Sequence, residues 1–141
     1  MWGSRVVPLP GKLEAPLAAL FGDGVRQVRI IEYSLFARLH AGAVATTRRG
    51  SIYLTGSAAD FFANPSFMLH EYCHVLLQWE PQRLTSAKYA LEWLRRGYWD
   101  NRFEIEAREF AQSNLYRFRA LLSRASREPS DCVARSSTAS P

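Results

Sequence analysis

Cysteine is nearly absent from these 141 residues. Cys73 and Cys132 are the only two, too few for a disulfide framework, which a chain of this size does not need. Long hydrophobic runs are missing as well. Arg, Glu, His or Gly breaks each apolar stretch within a few residues, whereas a membrane-spanning helix needs 18 or more. Residues 1–16 lack a basic segment followed by an apolar core, so no signal peptide is read. These absences make a cytoplasmic protein the default expectation and leave export by a dedicated system open. No internal repeat is visible, which excludes repeat architectures. Lysine is scarce: 16 arginines and 2 lysines carry a net charge of +5. The arginines are dispersed, with a mild concentration at Arg117, Arg119, Arg124 and Arg127. No nucleic-acid-binding motif accompanies them, so a solvated basic surface is preferred and nucleic acid is not an expected partner.

What is present suits one folded domain. Hydrophobic residues make up 48% and charged residues 22%, near the globular average. Residues 1–24 are rich in proline and glycine and read as an irregular lead-in, with a short helix at Leu17–Phe21. Val25–Ile31 alternates apolar and basic residues, as a strand does. Ser34–His40 suits one or two helical turns. Ala43–Thr47 and Ser51–Thr55 read as strands joined through Arg48-Arg49-Gly50, hence a hairpin. Asn64-Pro65 is a helix start, with Asn as cap and Pro at the first position. That helix should reach Trp79 or Glu80, where Pro81 stops it. A second helix is expected from Thr85 or Ser86 to Gly97, and a third from Asn101 to about Arg124. The domain is therefore placed at 25–124 and a disordered tail at 125–141. The expected fold is α+β: a small antiparallel or mixed sheet within residues 25–55, followed by three helices.

The first long helix contains His70-Glu71-Tyr72-Cys73-His74, an H-E-x-x-H motif. Residues four apart share a helix face, so two imidazoles can reach one metal ion. Glu71, one position on, sits where a carboxylate can meet a metal-bound water and accept its proton. A chance match in a chain this long occurs roughly once in a few hundred cases. Phe67, Met68, Leu69, Val75, Leu76, Leu77 and Trp79 cover most of the helix circumference, as on a buried helix. Buried histidines need partners, and either a metal or a structural hydrogen-bond cluster would supply them. His40 stands alone and is not read as a ligand. Cys73 is assigned a buried apolar role.

A catalytic zinc usually has three protein ligands. The third helix offers Glu104, Glu106 and Glu109. Winding it at about 100° per residue puts Phe103, Ala107, Phe110, Phe118 and Leu121 in one apolar stripe. Glu104 falls inside that stripe; Glu106 and Glu109 fall outside. Two other roles for Glu104 stay open: a capping box with Asn101, or an ion pair with Arg108 one turn on. Tyr98 could donate to an oxyanion or pack with Trp93 and Trp99, and packing is preferred.

His70–His74 with a glutamate on a later helix resembles the gluzincin arrangement of zinc metallopeptidases. The flanks narrow the resemblance: Val28-Arg29-Ile30, Gly42–Thr46, Ser51–Leu54, Leu69-His70-Glu71, His74–Gln78, Gly97-Tyr98 and Asn101–Ala107 follow in order. Across residues 25–111 the chain is similar to the short zincin-like domain of contractile-injection-system clusters and bacterial toxin proteins. The resemblance implies His70, His74 and Glu104 as Zn2+ ligands, Glu71 as general base and a peptide or protein substrate. In related gluzincins the ligand helix often reads E-x-x-x-D, its acid supporting a ligand histidine; here Arg108 stands in that place and cannot accept a hydrogen bond. Zinc-dependent peptide hydrolysis is the expected function, with Ser51–Thr55 binding substrate by strand addition if it is a sheet edge. An inactive zincin-like interaction or assembly module is the alternative, and a basic nucleic-acid-binding domain a distant third.

Overall fold

The computed structural model describes residues 3–39 and 45–128. Its first two elements come from the segment expected to be irregular. Arg5–Val7 forms strand β1 and Gly11–Phe21 forms helix α1. Pro10 stands just before α1 and Gly22 just after it, at boundaries rather than in the way. Leu13 and Leu17, four residues apart on one face, are buried. The expected Leu17–Phe21 helix is thus the end of a longer one, and the lead-in is part of the core.

The strand expected over Val25–Ile31 begins later. Asp23–Gln27 is a 3-10 turn that buries Val25, and strand β2 runs Arg29–Glu32. Helix α2, Leu35–Leu39, follows, then the expected hairpin of β3, Ala45–Arg48, and β4, Ser51–Leu54. Gly50 closes it at φ +72°, a left-handed conformation that glycine adopts without a Cβ clash. His40, the expected strand residues Ala43 and Val44, and the expected tail from 129 on, with Cys132, lie outside the described residues.

The sheet is mixed, in the order β1-β2-β4-β3. β2 and β4 run parallel, and the two outer pairs are antiparallel. β1 extends the sheet beyond residues 25–55. The condition set for strand addition at Ser51–Thr55 is not met: this strand is no edge, because β4 is hydrogen-bonded on both sides. Ile52 lies beside Ile30 and both are fully buried, and at a solvent edge that core-facing row would be wet. Among the described residues the exposed edge on this side is β3. Phe36 of α2 covers the other sheet face, its ring centroid 4.9 Å from that of Tyr53.

The remaining helices begin with an unexpected one, α3, Ala58–Phe62, capped by the Ser57 hydroxyl. Asn64 caps the next, accepting from the Phe67 amide at 3.1 Å. This helix, α4, is α-helical over Pro65–Tyr72 and continues to Trp79 as a π segment from Cys73. There Glu80 N–H donates to the Val75 carbonyl at 2.9 Å, an i→i+5 closure. Helix α5 spans Ser86–Arg96 with Thr85 as cap, and α6 spans Arg102–Arg127, a turn beyond the expected end. α6 carries the heaviest packing, against α4 and α1. One core joins the layers through Leu17, Ile30, Ile52, Met68, Leu69, Tyr72 and Phe118. The fold is α+β. Among the described residues no helix is long and apolar enough to cross a membrane.

One buried acid ties the first elements together. Glu32, at the end of β2, accepts from the Ala58 amide at 2.9 Å and from Arg5 Nε at 2.9 Å. The Ala58 amide above all, with help from Arg5, holds its carboxyl below the usual range despite burial. Glu32→Ala would leave the Ala58 amide buried without its acceptor, at a cost of about 1–3 kcal/mol. The urea midpoint should fall at unchanged slope. A midpoint equal to wild type would show that this junction contributes nothing.

Candidate metal centre

Two helices supply the site. His70 and His74 lie one turn apart on α4 and its π continuation, and Glu104 is the third residue of α6. His70 Nε2 is 3.0 Å from Glu104 Oε2, His74 Nε2 is 3.3 Å from the same oxygen, and the two Nε2 atoms are 3.1 Å apart. Among the described residues these are the group of ligand type that converges on one point. The donor set fits zinc. Three tetrahedral ligands at 2.0–2.1 Å from a common centre stand about 3.3 Å from one another.

Glu104 is 4% exposed and points inward, as the helical winding requires. Glu106 instead forms a fork with Arg83, at 2.8 and 2.9 Å, and Glu109 is exposed. Neither alternative role of Glu104 is realised. Asn101 caps α6 through the Phe103 amide at 2.9 Å while the Glu104 carboxylate faces the histidines. Arg108 lies over the Trp99 ring, 5.2 Å from its centroid, and donates to the Trp99 carbonyl.

Two residues around the triad were given no role from sequence. Gln78 is fully buried, its Oε1 2.7 Å from His74 Nδ1 and its Nε2 donating to the Phe103 carbonyl at 3.0 Å. Its signal was available: His70, His74 and Gln78 repeat at a spacing of four. Tyr89 of α5 donates its hydroxyl to Glu104 Oε1 at 2.8 Å. Its signal was masked, because Leu91 and Leu94 lie on the opposite side of that helix.

Glu71 is buried. Burial pushes its carboxyl above the usual range, against the pull of His74 and His70. Tyr98 is 44% exposed and meets Trp99 edge-on at 5.7 Å, so it packs with one of its two expected partners at the surface. Burial of its hydroxyl end, with the charges of Glu104 and Glu71, pushes the phenol up to about 12. Cys73 is buried; burial first, then the charge of Glu106, pushes its thiol up to about 12, so it stays protonated and outside the triad.

Comparison with protein-family models, with curated proteins and with solved structures finds no match.

The charges of the site give it a pH dependence. Burial alone would lower the His74 imidazole, but the hydrogen bond and charge of Glu104, then Glu71 and Gln78, push it up to about 9. Burial opposes ionisation of Glu104 too, and the bonds from His70, His74 and Tyr89 hold its carboxyl far below the usual range. The raised imidazole stabilises the metal-free fold fully below its ordinary 6.5, and that contribution is lost as pH rises through about 9. The depressed carboxyl contributes above its ordinary 4.5 and loses that contribution as pH falls. The melting temperature of metal-free protein should therefore fall between pH 6.5 and 9.5 more steeply than that of His74→Ala. A metal ion held by the triad would displace the imidazole proton, so its affinity would rise over the same range. Equal slopes in the two proteins would remove His74 from this balance.

Proposed function

We propose that the chain is a zinc-dependent peptide hydrolase of zincin type, as its resemblance to the short gluzincin-like domain implies. One observation carries this reading: two imidazole nitrogens and a carboxylate oxygen mutually 3.0–3.3 Å apart. A proton can bridge one edge of such a triangle, whereas a single cation satisfies all three corners at once. His70, His74 and Glu104 would hold the ion. When bound, zinc supplies Lewis-acid polarisation of a carbonyl and lowers the pKa of water.

The remaining steps belong to side chains of this protein. Glu71 takes the proton from the attacking water and passes it to the leaving amine. Its raised affinity for protons suits a base that must also return them. Tyr98, half open to solvent beside Glu104 and Glu71, is the donor available to a developing oxyanion. His70 is the more open ligand, with 16% of its side chain exposed against 5% for His74, so substrate approaches from its side. An extended peptide would add to β3 rather than β4, since β3 offers the open ladder and stands beside the π segment, where Trp79 Nε1 donates to Thr47 Oγ1 at 3.3 Å.

A second reading, an inactive interaction or assembly module, draws its support from α5. Leu91, Trp93 and Leu94 are 47%, 54% and 75% exposed, and Trp99 follows at 72%. Leu91 and Leu94 lie three apart on one face, and large apolar side chains facing water together are a feature of interaction surfaces.

Glu71→Gln separates the two. It keeps volume and shape but cannot act as a base at neutral pH. The variant should fold and should show the same zinc-dependent rise in melting temperature as wild type. Its cleavage of a mixed peptide library should be slower by about 10² or more, and a chelator should abolish the wild-type rate. Unchanged cleavage by the variant would exclude Glu71 as the base. Absence of cleavage by zinc-loaded wild type across a broad library would favour the interaction module.

A further inference from the structure

We infer that Gln78 is the positioning residue that makes the metal site work in place of the acid missing at position 108: its amide selects the metal-ready tautomer of His74 and locks the two ligand helices together. The inference rests on the metal reading of the triad.

The chemistry starts from a backbone atom. The Phe103 carbonyl can only accept a hydrogen bond. The end of the Gln78 amide lying 3.0 Å from it is therefore the NH2 end. This fixes the other end, 2.7 Å from His74 Nδ1, as the carbonyl oxygen. Two acceptors cannot face each other at that distance, so Nδ1 carries a hydrogen. The lone pair of neutral His74 is then on Nε2, the atom aimed at His70 and Glu104. Metal-ligating histidines are commonly held in this way by a carboxylate or a carbonyl on the second ring nitrogen. Here a side-chain amide does it, and its rotamer is set from the partner helix. Phe103 directly precedes Glu104, so one fully buried side chain orients one ligand and tethers the backbone that carries another.

The position explains why Arg108 is tolerated. An acid on α6 would support a histidine from the ligand helix. Gln78 supports it from the histidine helix, and Arg108 is taken up by Trp99. The surroundings of Gln78 allow no water to substitute, since it is fully buried and makes both bonds to protein atoms.

The test uses the full chain, zinc alone as ligand, and nitrogen-15 spectra of the histidine rings. In zinc-loaded wild type, His74 should show a protonated Nδ1 and a coordinated Nε2. In metal-free wild type, read at a pH where the imidazole is neutral, Nδ1 should be protonated as well. Gln78→Leu should lower zinc affinity by about 10–100-fold, the usual effect of losing such support, and broaden the His74 signals into a tautomer mixture. Gln78→Glu keeps an acceptor for Nδ1 but sets a carboxylate oxygen against the Phe103 carbonyl, so it should keep the single tautomer while zinc affinity stays below that of wild type. Zinc affinity of Gln78→Leu within twofold of wild type would overturn the inference. So would an unprotonated Nδ1 in wild type, a result that holds even if the leucine variant does not fold. If wild type takes up no zinc, the metal reading fails; the spectrum of metal-free protein at a pH where the imidazole is neutral then decides Gln78 separately, through which ring nitrogen keeps the proton.

Discussion

The crossing of α4 over α6 is the constraint on which the rest of this structure depends. Two imidazoles and a carboxylate sit at contact distance inside the protein, on helices separated by about thirty residues of chain. Each is a poor neighbour for hydrocarbon. Their separation of 3.0–3.3 Å tolerates almost no slippage between the helices. The core supplies that rigidity: Met68, Leu69 and Tyr72 of α4 and Ala111 and Phe118 of α6 share one cluster, and close-packed interiors do not slide continuously. Sheet and α1 serve this crossing. α1 packs on α6 from outside, and Ile30 and Ile52 close the same cluster from the sheet.

Much of this was legible in the sequence, for a physical reason. Helical spacing is local, so His70 and His74 announce a shared face by themselves. Glu104 was legible by the same rule, because winding α6 about its axis separates it from Glu106 and Glu109 before any partner is known. Asn64-Pro65 and Gly97 mark boundaries through backbone chemistry that acts within one turn. What was not legible is non-local. β1 is three residues long and exists because β2 offers a ladder; nothing in Arg5-Val6-Val7 alone demands it. β4 reads like any short apolar strand, and its central place follows from its parallel pairing with β2 across the chain. Even the length of α1 was hidden, because Pro10 and Gly22, which frame it, resemble the punctuation of a loop.

The π segment shows where a local reading fails even on a helix. A continuous α-helix to Trp79 accounts for the boundaries but not for the winding after Cys73. π turns occur mostly as single interruptions and often at functional positions. Here the interruption begins one residue before His74 and contains Gln78. The segment that deviates from ideal winding is thus the one whose side chains must reach two targets, the His74 ring and the Phe103 carbonyl. Arg108 in place of an acid is a defect only if the support for a ligand histidine must come from α6. Support is a matter of where an acceptor lies relative to Nδ1, and either helix can provide it.

Helix α5 inverts the usual logic of amphipathicity. Its apolar side faces water, and its inward side presents Tyr89 to Glu104 and Glu92 to within ion-pair distance of Arg96 and Arg102. No residue of α5 is buried. Polar contacts therefore hold this helix rather than apolar burial. Such contacts contribute little net stability where solvent competes, which places α5 at the low end of local stability. Two tyrosines lie near Glu104 on this side: Tyr89 of α5 on one of its oxygens, and Tyr98 just beyond Gly97. The wall of the candidate site is its least anchored element, while the ligands behind it belong to its most rigid one. A substitution that loosens α5 would therefore leave the ligand set in place. The exposed side of α5 bears on that, because anything covering Leu91 and Leu94 adds the apolar burial that this helix lacks. The helix that flanks the candidate site and the helix that exposes Leu91 and Leu94 are the same one, so both proposed readings of the protein meet on it.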